Sequence, residues 1–381
     1  MIKKELLIVI YTIIVLLSVM YATQPLQPLL SNEFNISIVQ ASSFTAVIML
    51  FLAIAPIIYG YILERVNAKK VLLVASSILL VTNIFLGFSS TYELFLLIRT
   101  IEALVIPAIL TACMSVLAND KDNTKLNMSI YVASTVFGGL IGRVISGFIA
   151  TEFGWRAVFF SLSFALLVGL YFITKLPQDA EASLTKAKLK DVVSILKDRR
   201  FLVIYSLMFV VFFVFVGLLN ILPFKIKDAM PEASETQIGL LYLGYGMGIV
   251  VSLFIHRIIK FFKKELRTIT FGLIIFTLST SFFINDNIWF MFAMVFPLCV
   301  GMFIIHTVST RVANSMKETQ KALTSGMYLT FYYIGGTVGS ILPSIIYTLY
   351  GWQATILTFV FALIAIGIFV NINRKYFKAY N

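Results

Sequence analysis

Glu102 stands in an otherwise apolar stretch with Arg99 three residues before it, a spacing that places two side chains on one face of a helix. A carboxyl so placed can carry a proton: burial favours its neutral form, a neighbouring guanidinium its charged form, and an arginine that moves toward or away from it loads or releases the proton. An ion pair that only neutralises Arg99 is the alternative, and the residues alone leave both open. Arg143 is a second cation inside an apolar run, and in hydrocarbon it calls for an acid, a polar partner or a wet cavity. His306, followed by Thr307-Val308-Ser309, is the other titratable group at depth, either a proton carrier or a hydrogen-bonded packing residue. The remaining acids fall in loops or near the ends of apolar runs, Glu64, Glu93 and Glu152 among them.

Around these groups the aromatic and amide residues Tyr21, Gln24, Gln27, Tyr131, Asn220, Tyr242, Tyr328 and Tyr332 are candidates to line a solute cavity. In Tyr21-Ala22-Thr23-Gln24-Pro25-Leu26-Gln27-Pro28, the apolar chain after Pro25 predicts a kink. Helix termination by Pro28, and by Pro223 after Asn220, accounts for the prolines equally well. No nucleotide-binding G-x-x-x-x-G-K-S/T loop occurs, so an ion gradient is the expected driving force. Cys113 and Cys299 lie far apart in apolar runs and no second histidine is near His306, so no metal, disulfide framework or cofactor is expected. A membrane-bound transferase would need a clustered nucleophile, base or ligand set, which the chain lacks.

The elements that must position these groups follow from composition. Of 381 residues, 60% are hydrophobic and 13% charged, and mean hydropathy is +0.95, where a soluble domain carries about a quarter charged residues. Twelve apolar runs occur between residues 6 and 373, and twelve crossings at about 20 residues each use roughly 240 positions. The expected class is an all-α membrane protein of twelve transmembrane helices in two pseudo-symmetric six-helix bundles. The first run follows Lys3 and Lys4, but it is long and lacks a small-residue cleavage site, so it reads as a retained helix.

With the N-terminus inside, 24 of the 30 basic residues fall in cytoplasmic segments, which predicts both termini in the cytoplasm. The same bias explains the net charge of +12 without nucleic acid. A polar connector over 177–200, with Leu184, Leu189, Val193 and Leu196 as an amphipathic stripe, separates bundles over 1–176 and 201–381. The halves repeat: Tyr131, Gly138, Gly139, Gly142, Gly154, Trp155 and Ala157 recur 197 residues later as Tyr328, Gly335, Gly336, Gly339, Gly351, Trp352 and Ala354. Parallel six-helix repeats mark a transporter whose bundles rock about a central site.

On these residues the chain resembles the major facilitator superfamily, within it the drug and metabolite:proton antiporter branch with its YnfM-like and arabinose-efflux-permease-like groups. Gly60-Tyr61-Ile62-Leu63-Glu64-Arg65-Val66-Asn67-Ala68-Lys69 is similar to the superfamily's G-x-x-x-D-R-x-G-R loop, with Glu64 for Asp and Asn67, a residue that tolerates a left-handed turn, for Gly. The resemblance assigns Gly60, Glu64, Arg65 and Lys69 to a cytoplasmic gating lock. Gly138 to Gly147 resembles the antiporter signature G-x-x-x-G-P-x-x-G-G with Arg143 in place of proline, and Arg99 to Ala103 resembles R-x-x-Q-G. Gly138, Gly142 and Gly147, with Gly335 and Gly339 in the repeat, would then form thin helix walls.

What the resemblance implies is a monomeric, proton-coupled exporter of a drug, sugar or other small metabolite in the bacterial inner membrane, with Glu102, Arg99, Arg143 and His306 in the coupling. A symporter or facilitator that imports a small metabolite is the alternative.

Overall fold

The structure is a computed structural model that describes residues 4–63, 66–118, 123–177, 189–317, 321–378 and 380. Helices and turns make up the described residues, with no strand among them. Such a chain has a physical reason to be helical throughout, because in hydrocarbon every backbone N–H and C=O must find its partner within the segment.

The elements are α1 (Lys4–Tyr21), α2 (Gln27–Glu33), α3 (Ile38–Leu63), α4 (Ala68–Phe88), α5 (Tyr92–Ala118), α6 (Thr124–Phe153) and α7 (Trp155–Thr174). They continue with α8 (Leu189–Lys197), α9 (Arg199–Ala229), α10 (Glu235–Leu240), α11 (Met247–Phe262), α12 (Glu265–Phe282), α13 (Ile288–Ser315) and α14 (Lys321–Ile372). Ten stretches of the described residues are long and apolar enough to cross a membrane. The last of them, Leu323–Phe377, contains two helices, because Gly351 (φ 79°, ψ −176°) breaks α14. With α12, whose first turn carries Glu265 and Arg267 and is therefore less apolar, the twelve expected crossings are accounted for. The connector forms its amphipathic helix as α8, on which Val193 and Leu196 are exposed and Ile195 is buried.

The residues group into two units, Met1–Lys186 with Glu232–Tyr242, and Ala187–Pro231 with Leu243–Asn381. In the first, α1 packs on α5, α6 and α7, α4 lies between α5 and α7, and the short α10 lies on α6. In the second, α9 packs along α14, and α13 meets α9, α11, α12 and α14. The stretch that begins with α10 changes at Leu241–Gly246 to a tighter three-residue-per-turn helix, at the position where the chain returns to the second unit.

The repeat has a structural counterpart. A Cβ on Gly138 or Gly142 would strike the α1 backbone at Ile14 or Ser18, and one on Gly335 or Gly339 would strike the α9 backbone at Phe209 or Phe213, each 195 residues further on. Gly154 and Gly351 share a positive φ, 81° and 79°, at the sharp turn into the next helix, where a side chain would be strained. One contact thus recurs in each unit, a helix end-turn set by a left-handed glycine and a backbone-to-backbone approach set by a glycine pair.

Three local expectations are corrected. Pro25 does not kink a continuous helix: α1 stops at Tyr21, a turn covers 22–26, and α2 begins at Gln27. Pro25 has no N–H to continue the ladder, and Pro28 sits in the first turn of α2, where none is needed. Pro223 does not terminate its helix, since α9 runs through it to Ala229. Asn67 is extended rather than left-handed (φ −58°, ψ 135°), because its side chain caps α4 by accepting from the Lys69 N–H at 2.8 Å.

Gly339→Leu is expected to lower stability by about 1–3 kcal/mol, read as a drop in melting temperature of the purified protein. Gly367→Ala, where a Cβ meets only Leu273 Cδ2 at 3.3 Å, is expected to be near neutral. Equal losses at both positions would contradict the close approach of α9 and α14.

Candidate functional site

α1 is broken where α5 and α6 deliver their cations. The last carbonyls of a helix have no intrahelical donor, and the end of α1 offers its own to Arg99: Nη2 donates to Met20 O at 2.6 Å and Nη1 to Val19 O at 3.2 Å, with Thr23 Oγ1 3.3 Å from Nη2. The guanidinium also meets the negative end of the α1 dipole. On the same face of α5, Glu102 Oε2 accepts from Arg99 Nη1 at 2.7 Å, and both side chains are fully buried. Glu102 is the one carboxyl among the buried side chains of the described residues.

The two oxygens of that carboxyl differ. Oε2 is held by Arg99, whereas Oε1 is buried without a hydrogen-bond donor. The Thr82 hydroxyl of α4 lies beside the carboxyl but donates to the carbonyls of Ile78 and Leu79, at 2.9 and 3.0 Å. The carboxyl thus has one oxygen bonded and one open.

Arg143 is 2% exposed and is held by neutral groups. Nε donates to Gln24 Oε1 at 2.6 Å and Nη1 to Gly139 O at 2.7 Å. The guanidinium carbon lies 3.8 Å from the Tyr21 ring centre and 5.1 Å from that of Tyr242, which follows α10. Cation–π contact of this kind strengthens when desolvated. The polar partner expected for Arg143 is thus an amide with two tyrosine faces, and the arginine paired with Glu102 is Arg99. In the same unit Gln27 Nε2 donates to Thr45 Oγ1 at 3.0 Å, and Tyr131 Oη reaches Leu110 O at 3.4 Å.

In the second unit His306 Nδ1 lies 2.9 Å from Tyr328 Oη, and its ring is 4.9 Å from that of Tyr332, which stacks on Phe212 at 3.6 Å. Asn220 Nδ2 reaches Ser340 O at 3.5 Å. Ser340 follows Arg143 by 197 positions and Asn220 follows Gln24 by 196. The place that holds a guanidinium–amide pair in one unit therefore holds a neutral pair in the other.

Of the loop residues, Glu64 and Arg65 lie outside the described residues, and Gly60 falls within α3. Lys69 Nζ donates to Leu176 O, tying the start of α4 to the end of α7. Gly147 belongs to the α6–α10 contact, where a Cβ would strike Glu235 O, and Thr151 Oγ1 accepts from Thr236 N at 2.9 Å.

The spacing of Arg99 and Glu102 pointed to each other but not to the α1 carbonyls or to Thr82. Pro25 is the only sequence signal for the carbonyls, since it ends the helix that supplies them. Thr82 gave none, because threonine is common in apolar helices where it bonds to its own backbone.

The Major Facilitator Superfamily model matches residues 8–231 and 229–379 of the chain. Among curated relatives, the "Uncharacterized MFS-type transporter YybF" of Bacillus subtilis is 21% identical over 357 residues, covering 91% of this chain and 87% of the relative. The "Inner membrane transport protein YnfM" of Escherichia coli is 22% identical over 343 residues, with 88% and 82% covered. Among solved structures, a bacterial homolog of the human lysosomal transporter Spinster in an inward-facing and occupied conformation superposes with a TM-score of 0.82 at 14% identity, covering 98% of this chain and 96% of that one. The nucleoside transporter NupG superposes at 0.77 and 13%, covering 99% and 100%. At these identities the structures bear on the fold.

Arg99→Ala is expected to cost about 3–5 kcal/mol, since it strands the Glu102 carboxyl in the interior. The double variant Arg99→Ala/Glu102→Ala should lose less than the sum of the single variants in thermal unfolding. Strict additivity would show that the two side chains are not energetically coupled.

Proposed function

From the premise that the chain belongs to the major facilitator superfamily, whose members are secondary transporters working by alternating access, we propose that it exports a small organic solute in exchange for protons, with Glu102 as the proton site. The observation that carries this is the divided carboxyl of Glu102: one oxygen bonded to Arg99, the other buried without a donor. Ionisable side chains at this depth are expensive and are retained where they handle ions or substrate.

The proton step uses only groups of the first unit. A proton adds to Glu102 Oε1, while Oε2 keeps its bond to Arg99. Charged, Glu102 balances Arg99; neutral, it leaves two guanidiniums, Arg99 and Arg143, as the buried charges of the first unit among the described residues. The interior is then one unit more positive, which disfavours a cationic solute and admits it again once the proton leaves. Proton and solute thus exclude each other, the condition for antiport.

The direction rests on the resemblance of Gly138 to Gly147 to the antiporter signature. The proposal also places the chain in the bacterial inner membrane with both termini in the cytoplasm, supported by the distribution of lysine and arginine and by the similarity to YnfM, an inner membrane transport protein, and takes it to work as a monomer. Two bundles, 1–176 and 201–381, would alternate about the connector, with Gly60, Glu64, Arg65 and Lys69 as the inner lock.

In proteoliposomes under an imposed pH gradient, the protein should move solute out against entering protons. Glu102→Gln should abolish the proton-driven flux and spare solute exchange at equal pH. Driven flux that survives the substitution would remove Glu102 from the coupling, and turnover of a solute without its movement would overturn transport itself.

A further inference from the structure

His306 lies on a polar stripe of α13. Met302, Phe303, Val308 and Ser309 around it are buried, yet His306, Thr310 and Asn314, spaced four apart on one face, are each partly exposed, as is Thr307. Thr310 and Asn314 have hydrogen-bond partners, the His306 carbonyl and the Ser325 hydroxyl, and the imidazole is bonded through Nδ1.

The contacts of the imidazole bear on which nitrogen carries its proton. Tyr328 Oη makes two short contacts with the residue, 2.9 Å to Nδ1 and 3.2 Å to its carbonyl oxygen. The carbonyl can only accept, and it also accepts from Thr310 Oγ1 at 2.8 Å. A tyrosine has one hydroxyl proton. Both contacts are met without sharing that proton when Tyr328 gives it to the carbonyl and receives one from Nδ1–H. Nε2 is then a bare lone pair, with no protein partner among the described residues. The ring lies 4.9 Å from that of Tyr332, which is backed by Phe212.

We infer that His306 is a solute-selecting residue: it is held with its proton on Nδ1 and offers Nε2 as an acceptor to solutes that bring an O–H or N–H donor, alcohols and amines, and it is not the proton carrier. The inference rests on the transport reading above, but its first test does not. The class also agrees with exclusion of a cationic solute by the protonated form, since an ammonium is both a donor and a cation.

The tautomer is read directly from the 15N spectrum of [15N]histidine-labelled protein, in which the two histidines, His256 and His306, are told apart by His256→Gln. At neutral and mildly alkaline pH His306 should show a protonated Nδ1 and a bare Nε2, and Tyr328→Phe should shift the population toward the Nε2–H form. A wild-type ring protonated on Nε2 would overturn the proposal.

The selectivity is read in proteoliposomes with tyramine, ethanolamine and glycerol, each against its fully methylated counterpart. At least one donor-bearing compound should be preferred by about tenfold, the worth of one neutral hydrogen bond. His306→Phe should erase the preference and His306→Gln, which supplies an acceptor, should recover part of it. A preference unchanged in His306→Phe, or absent for all three pairs in the wild type, would also overturn it. Glu102→Gln should lose the proton drive and keep the preference, so failure of the coupling scheme is distinguishable from failure of this one.

Discussion

A guanidinium in hydrocarbon must be surrounded by acceptors that cannot leave, and the rest of the first unit follows from meeting that requirement at Arg99. The acceptors are backbone carbonyls of α1, which are available only because the helix stops at Tyr21, ahead of Pro25. Side chains could rotate away, whereas carbonyls at a helix end cannot, and the dipole of α1 adds to their pull. The same break lets Gln24 turn toward α6, and the glycine approach at Ser18 brings α6 close enough for Arg143 to reach it. One interruption in one helix thus seats both cations, and Glu102 is positioned through the first of them.

The two units share a scaffold and differ in chemistry. Glycines at equivalent positions press α6 on α1 and α14 on α9, and the same left-handed turn precedes Trp155 and Trp352. Where the scaffold is equivalent, however, Arg143 and Gln24 give way to Ser340 and Asn220. A repeat can lose its charged pair because backbone approach, driven by packing and not by the side chains it carries, holds the helices. The second unit keeps instead a neutral cluster of imidazole and tyrosine, which costs less to bury and can sit beside water.

Much of this was legible in the residues. Twelve crossings, the repeat and the Arg99–Glu102 pair follow from hydropathy and spacing, which are local properties. What was not legible depends on where chain ends meet. Nothing about Asn67 distinguishes a cap from a left-handed turn until the Lys69 N–H is seen to need an acceptor. Pro223 resembles a terminator, yet α9 runs on for another turn and more to Ala229, where Lys225 pairs with Asp286 at 2.6 Å. The grouping of Glu232–Tyr242 with the first unit rests on Gly147 and Gly239, whose spacing in sequence carries no sign of their contact.

If Glu102 is the proton site, as proposed, the asymmetry of its carboxyl constrains how coupling can work. If the proton displaced Arg99, α5 would let go of its partner and protonation would act as a mechanical release. With Oε1 bare and Oε2 bonded, the proton has a site that leaves the Arg99 contact and the α1 carbonyls in place. Connectivity is then unchanged between the two protonation states and only charge differs. A charge-only signal acts through the low dielectric of the interior, where one unit of charge at a separation of several ångströms is worth kilocalories. It therefore needs no moving latch, and it acts on any solute according to its charge. On that reading, selection among solutes of like charge must come from elsewhere, from groups that read hydrogen-bonding pattern, the role proposed for His306.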